Sequence, residues 1–123
     1  MMKLALFVGI GGFFGSVSRY LVHHLFLKLI PNIAPSGTLV VNIVGCFLLG
    51  LLAHQTGKMS KEYHLLLATG FCGGFTTFST FSAENINYII NDNMSAAFIY
   101  MSLSLVLGLG ASALGWYLGR LAL

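Results

Sequence analysis

The segment from Gly70 to Glu84 combines glycines, hydroxyls, phenylalanines and one carboxylate within an apolar part of the chain. Polar groups at membrane depth are costly unless they face protein or water, so in a membrane protein they indicate a functional site. Gly73 and Gly74 weaken a helix and two β-branched threonines follow at once, which predicts a helix break near residues 73 to 77. Neutral hydroxyl donors suit a small desolvated anion, and the positive edge of a phenylalanine ring can also face an anion. We interpret this segment as the functional centre of the chain.

Two further polar residues fall inside apolar segments. Asn42 lies one turn inside a predicted helix, where an amide without partners is costly. It either makes an interhelical hydrogen bond, which is common in membrane bundles, or faces a pore as a donor. Arg19 shares a helix face with Gly11 and Gly15. It either extends to the membrane interface or lines an aqueous opening and attracts anions.

Other kinds of chemistry find little support. The only carboxylates are Glu62, Glu84 and Asp92, and there is no H-E-x-x-H motif, P-loop or dinucleotide fingerprint, so we do not expect an enzyme. The six Lys and Arg residues are scattered and form no basic patch for nucleic acid. Cys46 and Cys72 lie within apolar segments, and we expect both to be small buried apolar residues rather than a disulfide or a metal site.

Composition predicts an integral membrane protein. The chain has 123 residues, of which 57% are hydrophobic and 7% charged, and its mean hydropathy is +0.88. Since a membrane span takes about 20 apolar residues, we predict one domain over residues 1–123 with four transmembrane helices. The apolar run after Lys3 is too long for a signal peptide and contains Arg19, so we expect a retained first helix. Four short helices bury little surface, which favours a homo-oligomer.

The predicted spans bring polar residues onto common faces. They cover about residues 4–27, 38–55, 63–90 and 95–121, with the third one broken. In the third span Phe78 and Phe81 stand on one side, and hydroxyls and Glu84 form the neighbouring stripe. A phenylalanine stripe is usually packing, but the polar stripe beside it favours a pathway for a solute. In the fourth span Tyr100 and Ser104 share a face that could complete a polar track.

Three segments resemble the signature blocks of the Fluc/CrcB fluoride channel family. They are Gly12–Tyr20, Gly37–Gly45 and Gly70–Glu84, and they occur in the expected order across nearly the whole chain. The third block is the most specific of the three. The resemblance implies an antiparallel, dual-topology homodimer of four-helix subunits, with two fluoride pores and a central structural sodium ion. It also implies passive export of fluoride from the cytoplasm across a bacterial inner membrane, which reduces fluoride toxicity.

The resemblance also assigns roles to residues of this chain. It implies a fluoride pathway at Asn42, Phe78, Phe81, Ser79, Thr80, Tyr100, Ser104, Glu84 and Arg19. It implies that the backbone carbonyls of Gly73 and Thr76 hold the sodium, together with the same pair from a second subunit. Unwound carbonyls are suitable oxygen ligands for a hard cation. Gly108 departs from the pattern, because it stands where a second serine of the track is expected.

Two alternatives remain open, and so does the identity of the partner chain. A small four-helix proton-coupled exporter would need a membrane-embedded carboxylate in its first span, where Arg19 is the only charged residue, so Glu84 is the remaining candidate. A structural membrane subunit would use the small residues only for packing and would leave Asn42 and Glu84 without a task. With a cytoplasmic N-terminus, four basic residues lie inside, namely Lys3, Lys58, Lys61 and Arg120, while Lys28 lies outside. This positive-inside bias also allows a dimer with an oppositely inserted homologous chain.

Overall fold

A computed structural model of the protein describes residues 1–33 and 35–122, and within these residues it contains helices and turns but no strand. The predicted all-α class is therefore confirmed for the described part of the chain. The single domain over residues 1–123 stays a prediction, and its positions 34 and 123 lie outside the described residues. The helices are α1 (Met2–Leu29), α2 (Ser36–Ala53), α3 (Lys61–His64, Leu65–Cys72 and Gly73–Phe75 in continuous succession), α4 (Phe78–Ile90) and α5 (Met94–Ala122).

Three of these helices, α1, α2 and α5, are long and apolar enough to cross a membrane by length and composition. They coincide with the first, second and fourth predicted spans. The third predicted span is divided between α3 and α4, and the 13 residues of α4 are too few to cross a bilayer alone. The chain is thus a multi-pass membrane protein with three candidate spans among its described residues, and a further crossing made of α3 and α4 in series stays a prediction.

The break between α3 and α4 occupies Thr76 and Thr77. Both residues are extended, with φ −83° and ψ 157° at Thr76 and φ −149° and ψ 114° at Thr77. The expectation of a break near residues 73 to 77 is confirmed, but the paired glycines do not form it, because Gly73–Phe75 remains helical. A Cβ at Gly74 would instead collide with the backbone of Gly12, so this glycine serves close helix packing. The sequence also gave no sign that α3 has π-helical geometry over Leu65–Cys72.

Glycines allow two helix pairs to touch through their backbones. On α1, a Cβ at Gly15 would run into the carbonyl oxygen of Phe71 and the amide of Phe75 on α3. On α5, a Cβ at Gly115 would run into the carbonyl oxygen of Phe47 on α2. The most extensive helix contacts are accordingly between α1 and α3 and between α2 and α5. Small residues on α1 and α5 thus permit the close approach of these helices to α3 and α2.

Much of the surface of the single chain is apolar. Large apolar residues such as Phe98 and Leu105 are more than half exposed, which suits contact with lipid or with another protein chain. The buried apolar set is small and includes Val41, Phe75 and Cys72. Cys72 is buried and Cys46 half-buried, and neither forms a disulfide. The expectation that both cysteines pack as apolar residues is confirmed for Cys72.

Candidate functional site

A cavity of about 840 Å³ opens between α2, α3, α4 and α5, and we call it the main cavity. Its wall includes residues of the predicted pathway and of the helix break, namely Asn42, Gly73, Thr76, Thr77, Phe78, Phe81 and Ser104. Among the described lining residues none is Asp, Glu, Lys or Arg, and His64 is the only histidine. The cavity therefore offers hydroxyls, an amide and aromatic rings to a solute, without a fixed charge on its wall.

Asn42 connects α2 to the break between α3 and α4. The N–H of Thr77 donates to Asn42 Oδ1 at 2.7 Å, and Asn42 Nδ2 donates to the carbonyl oxygen of Thr77 at 3.1 Å. Both hydrogen-bonding groups of the extended Thr77 backbone are thus satisfied by one side chain. The amide nitrogen of Asn42 has a second hydrogen, and Asn42 lines the main cavity. The two interpretations of Asn42, an interhelical hydrogen bond and a donor facing a cavity, are therefore compatible.

Thr77 also begins α4. Its hydroxyl accepts a hydrogen bond from the backbone N–H of Thr80 at 3.1 Å, which is the usual geometry of a helix N-cap. Ser79 Oγ lies 3.3 Å from the same hydroxyl and is exposed. Neither Ser79 nor Thr80 lines the main cavity as described, although both belong to the predicted polar track.

Three aromatic rings follow one another from the main cavity into the protein. Phe78 is 80% exposed and its ring centroid lies 5.7 Å from that of Phe81. Phe81 in turn meets Tyr100 edge to face, with centroids 5.1 Å apart and an interplanar angle of 73°. Tyr100 is 4% exposed. The predicted pair Phe78 and Phe81 is therefore a real contact, and its inner ring leads to Tyr100.

Glu84 ends this series and accepts hydrogen bonds on both carboxylate oxygens. Tyr100 Oη donates to Oε2 at 2.9 Å, and Thr38 Oγ1 donates to Oε1 at 2.5 Å. His23 Nε2 lies 3.0 Å from the same Thr38 hydroxyl. Glu84, Thr38 and His23 line a second cavity of about 160 Å³, the small cavity, at the end of α1 and the start of α2. A continuous run of side-chain contacts therefore joins the two cavities through Phe81, Tyr100 and Glu84.

Two predicted residues of the pathway stand apart from this run. Ser104 lines the main cavity, and its hydroxyl is buried with no hydrogen-bond partner among the described residues. Arg19 is half-buried on α1 and lines neither cavity as described. The geometry thus brings Asn42, Phe78, Phe81 and Ser104 to the main cavity and leaves Arg19 outside it.

Comparison with known families agrees with this arrangement. The model of the family described as CrcB-like protein, Camphor Resistance (CrcB), matches residues 6–116. The chain belongs to the CrcB-like family. The matched range contains all five helices in whole or in large part, including the break and both cavities, so the family relationship applies to the site as well as to the fold.

Relatives within the CrcB-like family align over nearly their full length. A protein of Gloeothece citriformis named fluoride-specific ion channel FluC is 47% identical over 92% of this chain and 94% of its own length. A protein of Bacillus cereus named fluoride-specific ion channel FluC 2 is 40% identical over 96% of this chain and 98% of its own. One from Flavobacterium psychrophilum, also named fluoride-specific ion channel FluC, is 39% identical over 97% and 98%. The family is one of channels, which makes the chain a transporter and not an enzyme.

Sequence reasoning missed the roles of His23 and Thr38. Neither residue belongs to the predicted fluoride pathway. Thr38 is fully buried, and its hydroxyl joins helices α1 and α4. A threonine in the first turn of a transmembrane helix is a weak signal, since its partner Glu84 lies 46 residues away in sequence.

Proposed function

We propose that this chain is the subunit of a fluoride-specific ion channel that passively exports fluoride from the cytoplasm and so reduces fluoride toxicity. The observation that carries the proposal is the main cavity. Among the described residues, its wall combines an amide, a hydroxyl with no hydrogen-bond partner and two phenylalanine rings, and it holds no formal charge. The names of the relatives and their near full-length similarity point to the same solute.

Along the proposed pathway, the anion meets several weak hydrogen-bond donors one after another. A fluoride ion entering the main cavity exchanges part of its water for the second amide hydrogen of Asn42, the hydroxyl of Ser104 and the ring edges of Phe78 and Phe81. None of these contacts is ionic, so each holds the anion strongly enough to replace water and weakly enough to release it. Ser79, Thr80 and Tyr100 complete the track, and Gly108 on the main cavity wall leaves room there for water.

Charged residues act at a distance from the rings. Glu84 lines the small cavity with both oxygens already hydrogen-bonded, which keeps its negative charge away from the anion at Phe78. Arg19 lies on α1, and we assign it to an aqueous vestibule where a positive charge concentrates anions before they enter.

The backbone at the helix break fits the proposed sodium ion. In an unbroken helix, the N–H groups of Thr77 and Thr80 would donate to the carbonyls of Gly73 and Thr76. Here Thr77 N–H donates to Asn42 and Thr80 N–H donates to the Thr77 hydroxyl, which diverts the usual donors from both carbonyls. A Cβ at Gly73 would meet nothing within 4 Å, so there is space for a second subunit to bring the same pair of carbonyls. A sodium ion bound there would supply a fixed positive charge that holds two subunits together.

The assembly we propose is an antiparallel, dual-topology homodimer in a plasma membrane, the inner membrane of a bacterium. The broad apolar surface of the single chain supports contact with both lipid and a second copy. A dimer with an oppositely inserted homologous chain would cover the same apolar surface.

Growth of a fluoride-sensitive bacterium that lacks its own fluoride exporter tests the proposal. Expression of the chain should restore growth on fluoride, and the variant Phe78→Ile should not, although it accumulates in the membrane to the same level. Failure of the unaltered chain to restore growth while present in the membrane would contradict a fluoride channel. Fluoride efflux from liposomes that requires an imposed proton gradient would favour the proton-coupled exporter instead.

A further inference from the structure

The end of α1 is joined to the carboxylate of Glu84 by a hydrogen-bonded relay that the proposed pathway does not use. Its members are His23 on α1, Thr38 on α2 and Glu84 on α4. His23 Nε2 and Thr38 Oγ1 are 3.0 Å apart, and Thr38 Oγ1 and Glu84 Oε1 are 2.5 Å apart. Thr38 has no solvent exposure, so in this structure its hydroxyl is satisfied by these two side chains.

The number of hydrogens fixes the direction of this relay. A threonine hydroxyl has one hydrogen, and in this geometry it is donated to Glu84 Oε1. Oε2 of the same carboxylate accepts the hydrogen of the Tyr100 hydroxyl. The remaining contact of Thr38 must therefore be filled by a donor, which requires a hydrogen on Nε2 of His23. Donation runs from His23 to Thr38 and from Thr38 to Glu84.

We infer that His23 is a positioning residue for fluoride conduction, because its Nε2–H orients the Thr38 hydroxyl and thereby holds the Glu84 carboxylate at the small cavity. This inference rests on the proposed function. If the Thr38 hydroxyl were free to rotate toward another acceptor, Oε1 would lose its donor and the carboxylate could turn about its side-chain torsions. A negative charge nearer to Phe81 would repel an anion on the rings.

His23 also has a packing role that a test must separate from positioning. A Cβ at Gly37 would lie 3.2 Å from both Cα and Cδ2 of His23, so the imidazole sits against the first turn of α2. A change of side-chain size at position 23 would disturb this contact whether or not the hydrogen bond matters. The informative variants therefore keep the bulk and change only the donor.

Fluoride efflux from liposomes distinguishes the two roles. His23→Gln keeps an N–H donor at a similar reach, whereas His23→Phe keeps a ring without a donor. We expect His23→Gln to stay within about twofold of the unaltered chain and His23→Phe to lose about five- to tenfold in flux, the scale of one lost hydrogen bond. Thr38→Val should lose a similar factor. The double variant His23→Phe with Thr38→Val should be no slower than Thr38→Val alone, because His23 acts through Thr38.

A nitrogen-15 spectrum of the histidine-labelled protein provides a readout that does not depend on flux. We expect the His23 ring of the unaltered chain, embedded in lipid vesicles, to carry its hydrogen on Nε2. Equal losses in His23→Gln and His23→Phe, additive losses in the double variant, or an Nε2 without hydrogen would each overturn the positioning role. Absence of fluoride efflux from the unaltered chain would contradict the proposed function, while the state of Nε2 would still decide the direction of the relay.

Discussion

Asn42 and Thr77 form a reciprocal pair in which the amide side chain on α2 binds both the N–H and the C=O of Thr77, at 2.7 Å and 3.1 Å, in the break between α3 and α4. The pair explains how an extended residue is tolerated inside a membrane segment, since its N–H and C=O are both satisfied by protein. It also diverts the Thr77 amide from the Gly73 carbonyl. The Asn42 side chain thus stabilises the break and leaves the Gly73 carbonyl oxygen without its usual helical donor.

Replacement of Asn42 by Asp should damage both stability and conduction. The new carboxylate oxygen faces the carbonyl oxygen of Thr77, where a donor stood, and places a negative charge on the main cavity wall. We expect a loss of about 1–3 kcal/mol in the free energy of unfolding, measured by thermal unfolding in detergent, and loss of fluoride efflux. Asn87→Asp is the control, because Asn87 is exposed and its side-chain oxygen only accepts a hydrogen bond. Equal effects of the two changes would contradict the special position of Asn42.

Replacement of Phe78 by Ile should abolish flux and leave assembly intact. Phe78 is 80% exposed and makes its ring contact with Phe81, so isoleucine removes an aromatic edge without opening a hole in a core. The matched control is Phe98→Ile, since Phe98 on α5 is 71% exposed and lines neither cavity. Size-exclusion chromatography should give the unaltered elution volume for both variants. Phe78→Ile protein that conducts as well as Phe98→Ile protein would rule out a role for this ring.

Addition of one methyl group at Gly15 should separate α1 from α3. The Cβ of an alanine there would collide with backbone atoms of Phe71 and Phe75, which cannot move aside as a side chain can. We expect Gly15→Ala to lower stability by about 1–3 kcal/mol. Gly9→Ala on the same helix is the control, because nothing lies within 4 Å of its added Cβ, and it should be neutral or slightly stabilising. Thermal unfolding of both proteins side by side would show no difference if α1 and α3 were not in backbone contact.

The pair of Lys3 and Glu62 gives a pH dependence at the exposed start of α3. A hydrogen bond from its own backbone N–H, then the hydrogen bond and charge of Lys3, lower the pKa of Glu62 below its ordinary 4.5. A lowered pKa favours the ionised folded state, so this stabilisation is present above pH 4.5 and is lost as pH falls through the lower folded value. Because Lys3 is exposed and Glu62 is only partly buried, the effect is small and weakens with salt.

The variant Lys3→Met removes the ammonium group at 3.1 Å from Glu62 Oε1. We expect the pKa of the Glu62 carboxyl to rise toward its ordinary value, as followed by carbon-13 chemical shifts of the labelled carboxyl group during an acid titration. Glu62→Gln should make the midpoint of thermal unfolding less sensitive to pH below 4.5. An unchanged titration of Glu62 in Lys3→Met would show that the ion pair does not form in solution.

The sequence predicted the helices well because their apolar composition and the turn residues between them are local signals. Each predicted span overlaps an observed helix or helix pair, and the turn at Asn91–Asn93 is present, with Asp92 at φ 56°. The break was placed within a few residues, but the glycines that suggested it serve helix packing. What keeps Thr77 extended is Asn42, which is 35 residues away and acts through geometry that no local pattern encodes.

The residues that form the site could be predicted only in part, because many of their contacts join residues distant in sequence. Helical spacing correctly brought Phe78 beside Phe81, since both lie on one turn of α4. The contacts of Glu84 depend on how three other helices meet, so Thr38 and His23 could not be found from spacing along one helix. The π-helical stretch Leu65–Cys72 was equally hidden, because its residues are ordinary formers of an apolar helix.

Fluoride efflux from liposomes is the most direct measurement of whether this chain conducts fluoride. Purified protein would be reconstituted into vesicles loaded with potassium fluoride, and release would be started with a potassium ionophore and followed by a fluoride electrode. We expect rapid fluoride release, little chloride release from matched chloride-loaded vesicles, and no release above protein-free vesicles for Phe78→Ile. Unaltered protein that is folded and incorporated but releases fluoride no faster than empty vesicles would contradict this expectation.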